Sequence, residues 1–196
     1  MTTASPRTAA TRAAILDAAS RVFADEGVGA ASIGRIARAA GVTRPTVYAY
    51  FDTKETIFAA LVGEVRDAFL AAQEVPDTGD PAAVARAVIT SYLELHVRHL
   101  PLLAAIDQRA RTDPAVAAAR DDLLARVHRR NARFVDRLAA AGRADPVIDA
   151  DAVSQAITGI VRRFAELARD AHTSPAARAR LTDDAVAAYR RLVGLR

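Results

Sequence analysis

Apolar residues recur along this chain at intervals of three and four, the spacing of helices with one buried face. Ile15, Ala19, Val22 and Phe23 form the first such stripe, on a helix expected over Thr8 to Asp25 and ended by Gly27. Ser32 is the expected N-cap of a short second helix carrying Ile33, Ile36, Ala37 and Ala40 on its inner face. Gly41 breaks that helix, Val42 fills the corner, and Thr43 caps a third helix with Pro45 in its first turn. From this third helix Val47 and Phe51 point back to the core.

Longer helices are expected beyond this point. One covers Lys54 to Glu74, with Phe58, Leu61, Val62, Val65 and Phe69 on one face, and a loop at residues 76–80 follows it. Asp80-Pro81 opens a helix reaching about His99, and a short one runs from Pro101 to Thr112. Asp113-Pro114 opens another ending near Gly142, and the last two cover Asp149–Ala171 and Asp183–Val193. No alternating run or Asn-Gly hairpin signal is present, so the fold class expected is all-α. The pattern divides into a three-helix head, residues 1–53, and a larger helical domain, residues 54–196, with the helix after Lys54 as the expected covalent link.

Composition narrows the chemistry. The chain has 196 residues, 52% of them hydrophobic and 26% charged, enough to bury a core without cross-links. It has no cysteine, which excludes disulfides, thiolate zinc sites and cysteine nucleophiles. No apolar run approaches the roughly 18 residues of a membrane span, and Met1 to Thr11 lacks the apolar core of a secretion signal. A soluble, cytoplasmic protein without membrane contact is expected. The 27 basic residues exceed the 23 acidic ones by four, and Lys54 is the one lysine. That balance permits nucleic-acid binding without demonstrating it, since arginines on solvated helix faces give the same total.

Residues 32–54 carry the informative pattern. Two short helices joined by Ala39-Ala40-Gly41-Val42 have the layout of a helix-turn-helix, whose second helix enters the major groove of DNA by its N-terminal end. Thr43, Arg44, Pro45 and Thr46 occupy that end. Arginine suits bidentate contact with guanine, and a capping Thr43 leaves its hydroxyl near a phosphate path. Tyr48 and Tyr50 fall outside the Val47 and Phe51 core positions, where their hydroxyls can donate to phosphate. Lys54 lies in the first turn of a helix, a poor place for a cation unless an anion is near. A Tyr-x-Tyr-Phe cluster taken alone is more often packing than binding.

The run from Ile33 to Glu55, with its Ala-Gly-Val turn followed by the Tyr48-x-x-Phe51-x-x-Lys54-Glu55 spacing, resembles the DNA-binding signature of the tetracycline-repressor (TetR) family. The resemblance covers about Thr8 to Leu61. It implies backbone contacts from Ser32, Thr43, Tyr48 and Lys54, and base or groove contacts from Arg44, Pro45, Thr46 and Tyr50. It also implies a homodimer on a palindromic double-stranded operator, released by a small-molecule effector in the second domain. Gly34 stands where some family members carry a base-reading arginine, and Tyr50 where others carry histidine.

Phe69, Tyr92, His96 and Phe134 are the candidates for an effector pocket wall, suited to a largely apolar ligand. Ile157, Ile160, Phe164 and Tyr189, on broad apolar faces of the last two helices, are the candidates for the dimer interface. His96-x-x-His99 has a spacing that metal sites use, but no third ligand accompanies it, and it is read as a polar patch or pocket wall. Arg7 and Arg12, with the tail before them, are candidates for a minor-groove arm or a plain disordered start. No phosphate-binding loop, His-Glu-x-x-His or Gly-x-Ser-x-Gly occurs, so neither an enzyme nor a cofactor is expected. Two alternatives stay open: a DNA-binding regulator with no small-molecule effector, and a helical enzyme or ligand-binding module keeping the head as scaffold.

Overall fold

A computed structural model describes residues 6–74, 79–170 and 173–195. Eight helices are present among them: α1 (Pro6–Ala30), α2 (Ile33–Ala39), α3 (Arg44–Tyr48), α4 (Lys54–Ala71), α5 (Pro81–Ala110), α6 (Pro114–Ala140), α7 (Ala150–Arg169) and α8 (Pro175–Val193). The one β-type pairing among the described residues is an isolated antiparallel bridge between Ala144 and Leu195. No helix is long and apolar enough to cross a membrane among the described residues.

Ser32 and Thr43 cap α2 and α3 as expected, each accepting a bond from a backbone N–H three residues on, and Asp149 and Ser174 cap α7 and α8 in the same way. Gly27, at φ 76° and ψ 156°, breaks α1, and a further turn continues to Ala30. Three boundaries differ from the sequence reading. The first helix begins at Pro6, so Arg7 and Arg12 lie on it; the tail at residues 1–5 and the loop at 75–78 fall outside the described residues. The last helix begins eight residues before Asp183, at Pro175, where Ser174-Pro175 repeats the cap-plus-proline signal used at Asp113-Pro114.

The third difference is at Pro101, where one continuous α5 replaces two expected helices. Proline in a helix interior removes the bond that its N–H would give to the carbonyl four residues back, here Val97. Arg169 supplies the missing donor: its Nη1 lies 3.0 Å from Val97 O.

The chain forms two compact units. The first comprises residues up to Val65 together with Pro101–Arg120, and the second comprises Arg66–Leu100 with Asp121–Arg196. The helical head expected at residues 1–53 thus belongs to a larger compact body. Helices α4, α5 and α6 each contribute residues to both units. The helix after Lys54 is therefore one of three covalent connections.

In the first unit Ile15, Phe23, Ile36, Val47 and Ile57 are fully buried. Phe23 meets Phe58 edge-on at 5.5 Å, joining α1 to α4. The second unit is built around Val65's successors on α4 and the inner faces of α5 to α8. There Phe69, Tyr92 and His96 form a mutually edge-on cluster with ring centroids 4.5–5.3 Å apart. Val153, Ile157, Val161 and Ala165 bury the inner face of α7, and Val186, Tyr189 and Val193 that of α8.

Candidate nucleic-acid interface and ligand cavity

The turn between α2 and α3 is closed by two backbone bonds. Val42 N–H donates to Ala37 O at 3.0 Å and Gly41 N–H to Arg38 O at 3.2 Å, the paired closure of a helix ending in a left-handed residue. Gly41 takes φ +67°, a conformation that costs other residues energy. Val47 is wholly buried beneath α3, so the helix is pinned by one side chain and turns its other face outward. On that face Thr43, Arg44 and Pro45 are exposed, and Tyr48 is 54% exposed, the most open of the large apolar or aromatic residues in this unit. Thr46 and Tyr50 are half-buried.

Thr43 Oγ1 accepts from Thr46 N–H at 3.3 Å and lies 2.8 Å from Thr46 Oγ1, so the two hydroxyls form one polar cap at the entry of α3. Ser32 Oγ accepts from Arg35 N–H at 3.3 Å in the same way. The Arg44 guanidinium lies across Gly34 of α2: a Cβ there would come within 2.6 Å of Nη2. Among the basic residues of this surface, Arg35 is paired with Glu26.

Lys54 is placed differently from the phosphate role the sequence suggested. Its Nζ donates to Gly29 O at 2.7 Å and Ala31 O at 3.0 Å, closing the exposed carbonyl end of α1. Those carbonyls answer the electrostatic objection to a cation in the first turn of α4. Arg12 is likewise engaged, 3.3 Å from Glu64 and over the Phe51 ring at 5.3 Å.

The second unit holds a cavity of about 460 Å³, within the range of small-molecule sites. Of the four expected wall residues, Phe134 lines it. Tyr92 borders only a neighbouring void of about 20 Å³, and Phe69 and His96 pack in the aromatic cluster. The cavity's apolar wall is Val84, Ala85 and Val88 of α5. Tyr189, expected at a dimer interface, lines the cavity instead, 2% exposed, and donates to Asn131 Oδ1 at 2.5 Å. Asn131 Nδ2 donates to Ser154 Oγ at 2.9 Å, and Ser154 Oγ to Ala150 O at 2.8 Å, which ties α8, α6 and α7 together. Arg130, which by sequence reads as part of an Arg129-Arg130 basic patch or a solvated face, lies beside this cavity with Arg133 and Arg137, which sequence reasoning missed; their i, i+3, i+7 spacing brings them to one face of α6.

His96 donates through Nδ1 to Tyr92 O at 2.9 Å. Burial pushes its pKa down to about 4, and nearby Arg162 and His99 act in the same direction against the Tyr92 bond. A neutral ring with its Nδ1 proton on that carbonyl follows. Burial likewise raises the Tyr92 hydroxyl to about 12. No cluster of three metal-ligating side chains occurs among the described residues. On α7, Ile157 is buried in its own subunit, whereas Ile160 and Phe164 are half-buried and Leu167 is 37% exposed.

Comparison with known proteins places this geometry. A family model described as "Bacterial regulatory proteins, tetR family" matches residues 15–61. The chain is 38% identical over 91 residues to the HTH-type transcriptional regulator AcrR of Shigella flexneri, and 44% identical over 87 residues to the HTH-type transcriptional repressor LfrR of Mycolicibacterium smegmatis. Each match takes in 43% of this chain, and 40% and 45% of those relatives' lengths. Over the whole fold, a regulatory protein of the tetR family from Rhodococcus RHA1 superposes with a TM-score of 0.76 at 25% identity, covering 95% of this chain and 98% of that one. The ketosteroid transcriptional regulator KstR2 of Mycobacterium tuberculosis shares the fold at a TM-score of 0.74 and 19% identity, over 91% and 92% of the two chains.

Proposed function

We propose that this chain is a regulatory protein of the tetR family, on the family match over residues 15–61 and the fold likeness over nearly its whole length, and that it acts as a sequence-specific transcriptional repressor. It binds a palindromic operator as a homodimer and leaves it when a small molecule occupies the second unit. The observation that carries this reading is the outward face of α3. A helix held by buried Val47 presents Arg44, Pro45 and exposed Tyr48 from its first turn and a half, next to the Thr43–Thr46 hydroxyl pair. Ser32 and Thr43 face phosphates, Arg44 reads a base edge, and Thr46 and Tyr50 support the groove contact.

In this reading residues 1–53 hold DNA and residues 54–196 hold the effector and the partner subunit. Helix α7 supports the dimer because it is apolar on two sides. Its inner stripe is buried, while Ile160, Phe164 and Leu167, spaced i, i+4, i+7, form a second stripe that its own subunit leaves partly open. Two such faces meet about a two-fold axis as a four-helix bundle.

A gel-shift titration with DNA from upstream of the chain's own gene tests the reading. Retarded complexes that survive excess random DNA support it. Equal competition by random DNA overturns it.

A further inference from the structure

The cavity of the second unit has a chemical polarity that an ordinary apolar pocket lacks. Val84, Ala85 and Val88 close one side and Phe134 contributes an aromatic face, whereas Arg130, Arg133 and Arg137 stand along the other. No carboxylate lines it among the described residues. Arg130 reaches the exposed Glu74 at 3.4 Å, and Arg133 and Arg137 have no ion-pair partner among the described residues. Three like charges within two turns of one helix face repel one another, and an anion between them turns that repulsion into attraction. Each guanidinium is also a planar fork that matches the two oxygens of a carboxylate or phosphate.

A second, independent feature points to an occupant. Gln73 lies on the cavity wall and donates through Nε2 to Val127 O at 3.2 Å, which fixes its amide orientation. Its Oε1 is then buried without a hydrogen-bond partner among the described residues. An acceptor left unmet on a cavity wall is costly unless something in the cavity answers it.

We propose that this cavity takes an anionic amphiphile: an apolar body lies along α5 and Phe134, and a carboxylate or phosphate head is held by the arginines of α6. From Arg130 to Arg137 the helix rises by about 10 Å, so one head group engages two adjacent arginines rather than all three. This assignment rests on the second unit being the effector site, and it narrows the effector from apolar to apolar with one anionic end.

Calorimetric titration of the full chain with decanoate, decyl phosphate, decanol and decyltrimethylammonium, each below its micelle concentration, tests the proposal. The expected result is that decanoate or decyl phosphate binds at least about tenfold more tightly than decanol, that the cationic probe does not bind, and that added salt erodes the preference. Which anion binds decides between the two head groups. Arg133→Gln with Arg137→Gln, both exposed and therefore compatible with folding, is expected to abolish the preference and leave decanol binding unchanged. Equal binding of decanol and the anions, or a preference that survives the double substitution, overturns the proposal. Decanol binding that still displaces operator DNA then leaves the effector reading standing, whereas failure of all four probes to bind a chain competent for DNA overturns both.

Discussion

Arg44 on the recognition helix lies flat against Gly34 on the preceding helix, in space that any side chain at 34 would take: a Cβ would stand 2.6–3.0 Å from three guanidinium atoms. Glycine is a poorer helix former than alanine even in a first turn, so helical propensity argues against it here. Its presence lets the Arg44 guanidinium pack close to α2. Because the obstructed atoms are the far end of a flexible chain, Gly34→Ala is expected to leave the fold intact or slightly more stable, and to swing Arg44 away. Operator affinity then falls while affinity for random DNA holds. Arg44→Ala is expected to remove the proposed base contact outright, at about 1–3 kcal/mol of discrimination. Competition titrations with operator and random DNA check both, and parallel losses on the two DNAs would show that Arg44 binds only phosphate.

Lys54 gives a prediction of the opposite kind. With Nζ on the carbonyls of Gly29 and Ala31, Lys54→Met is expected to cost about 1.5–3 kcal/mol of stability, the range for hydrogen bonds to charged groups. The salt dependence of DNA binding should be unchanged. A salt slope shallower by about one unit would instead place this ammonium on a phosphate.

The buried His96 makes stability depend on pH. Its folded-state pKa of about 4 lies below the ordinary 6.5. Between those values the unfolded chain takes up a proton that the folded chain refuses. The stabilisation is complete above pH 6.5 and is lost as pH falls toward 4, by about 3 kcal/mol at the limit. His128, also lowered by burial, contributes with the same sign. Denaturant melts at pH 7.5 and 5 are expected to show a marked drop for the native sequence and a smaller one for His96→Asn, which can keep a donor toward the Tyr92 carbonyl. Equal drops would mean His96 titrates normally.

The outer stripe of α7 predicts the assembly. Phe164→Glu with Ile160→Glu is expected to give monomers in sedimentation and to weaken operator binding. Ile157→Glu buries a charge in the subunit's own core and should unfold it. A dimer that survives the double substitution lies on another face.

The head was legible in the sequence because local rules decide it. Ser32, Thr43 and Gly41 dictate the caps and the turn, and Val47 and Phe51 fall where helical spacing puts them. Where long-range partners decide, the sequence misled. Pro101 reads as a helix break unless Arg169, 68 positions away, is known to satisfy the freed Val97 carbonyl. Tyr189 and Ile157 lie on faces apolar enough for an interface, and only the packing of α6 and α8 onto α7 shows that they point inward. Lys54 carries no local sign that the end of α1 lies within reach. Nothing in the spacing of the α6 arginines tells that an apolar wall faces them.

Hydroxyl-radical footprinting on DNA upstream of the chain's own gene shows whether two copies of α3 read one operator. Two protected patches related by two-fold symmetry are expected, with centres one helical turn apart (about 34–36 Å) or a multiple of it, that disappear with Arg44→Ala. A uniform pattern indistinguishable from that on random DNA, or protection that Arg44→Ala leaves unchanged, would contradict that reading.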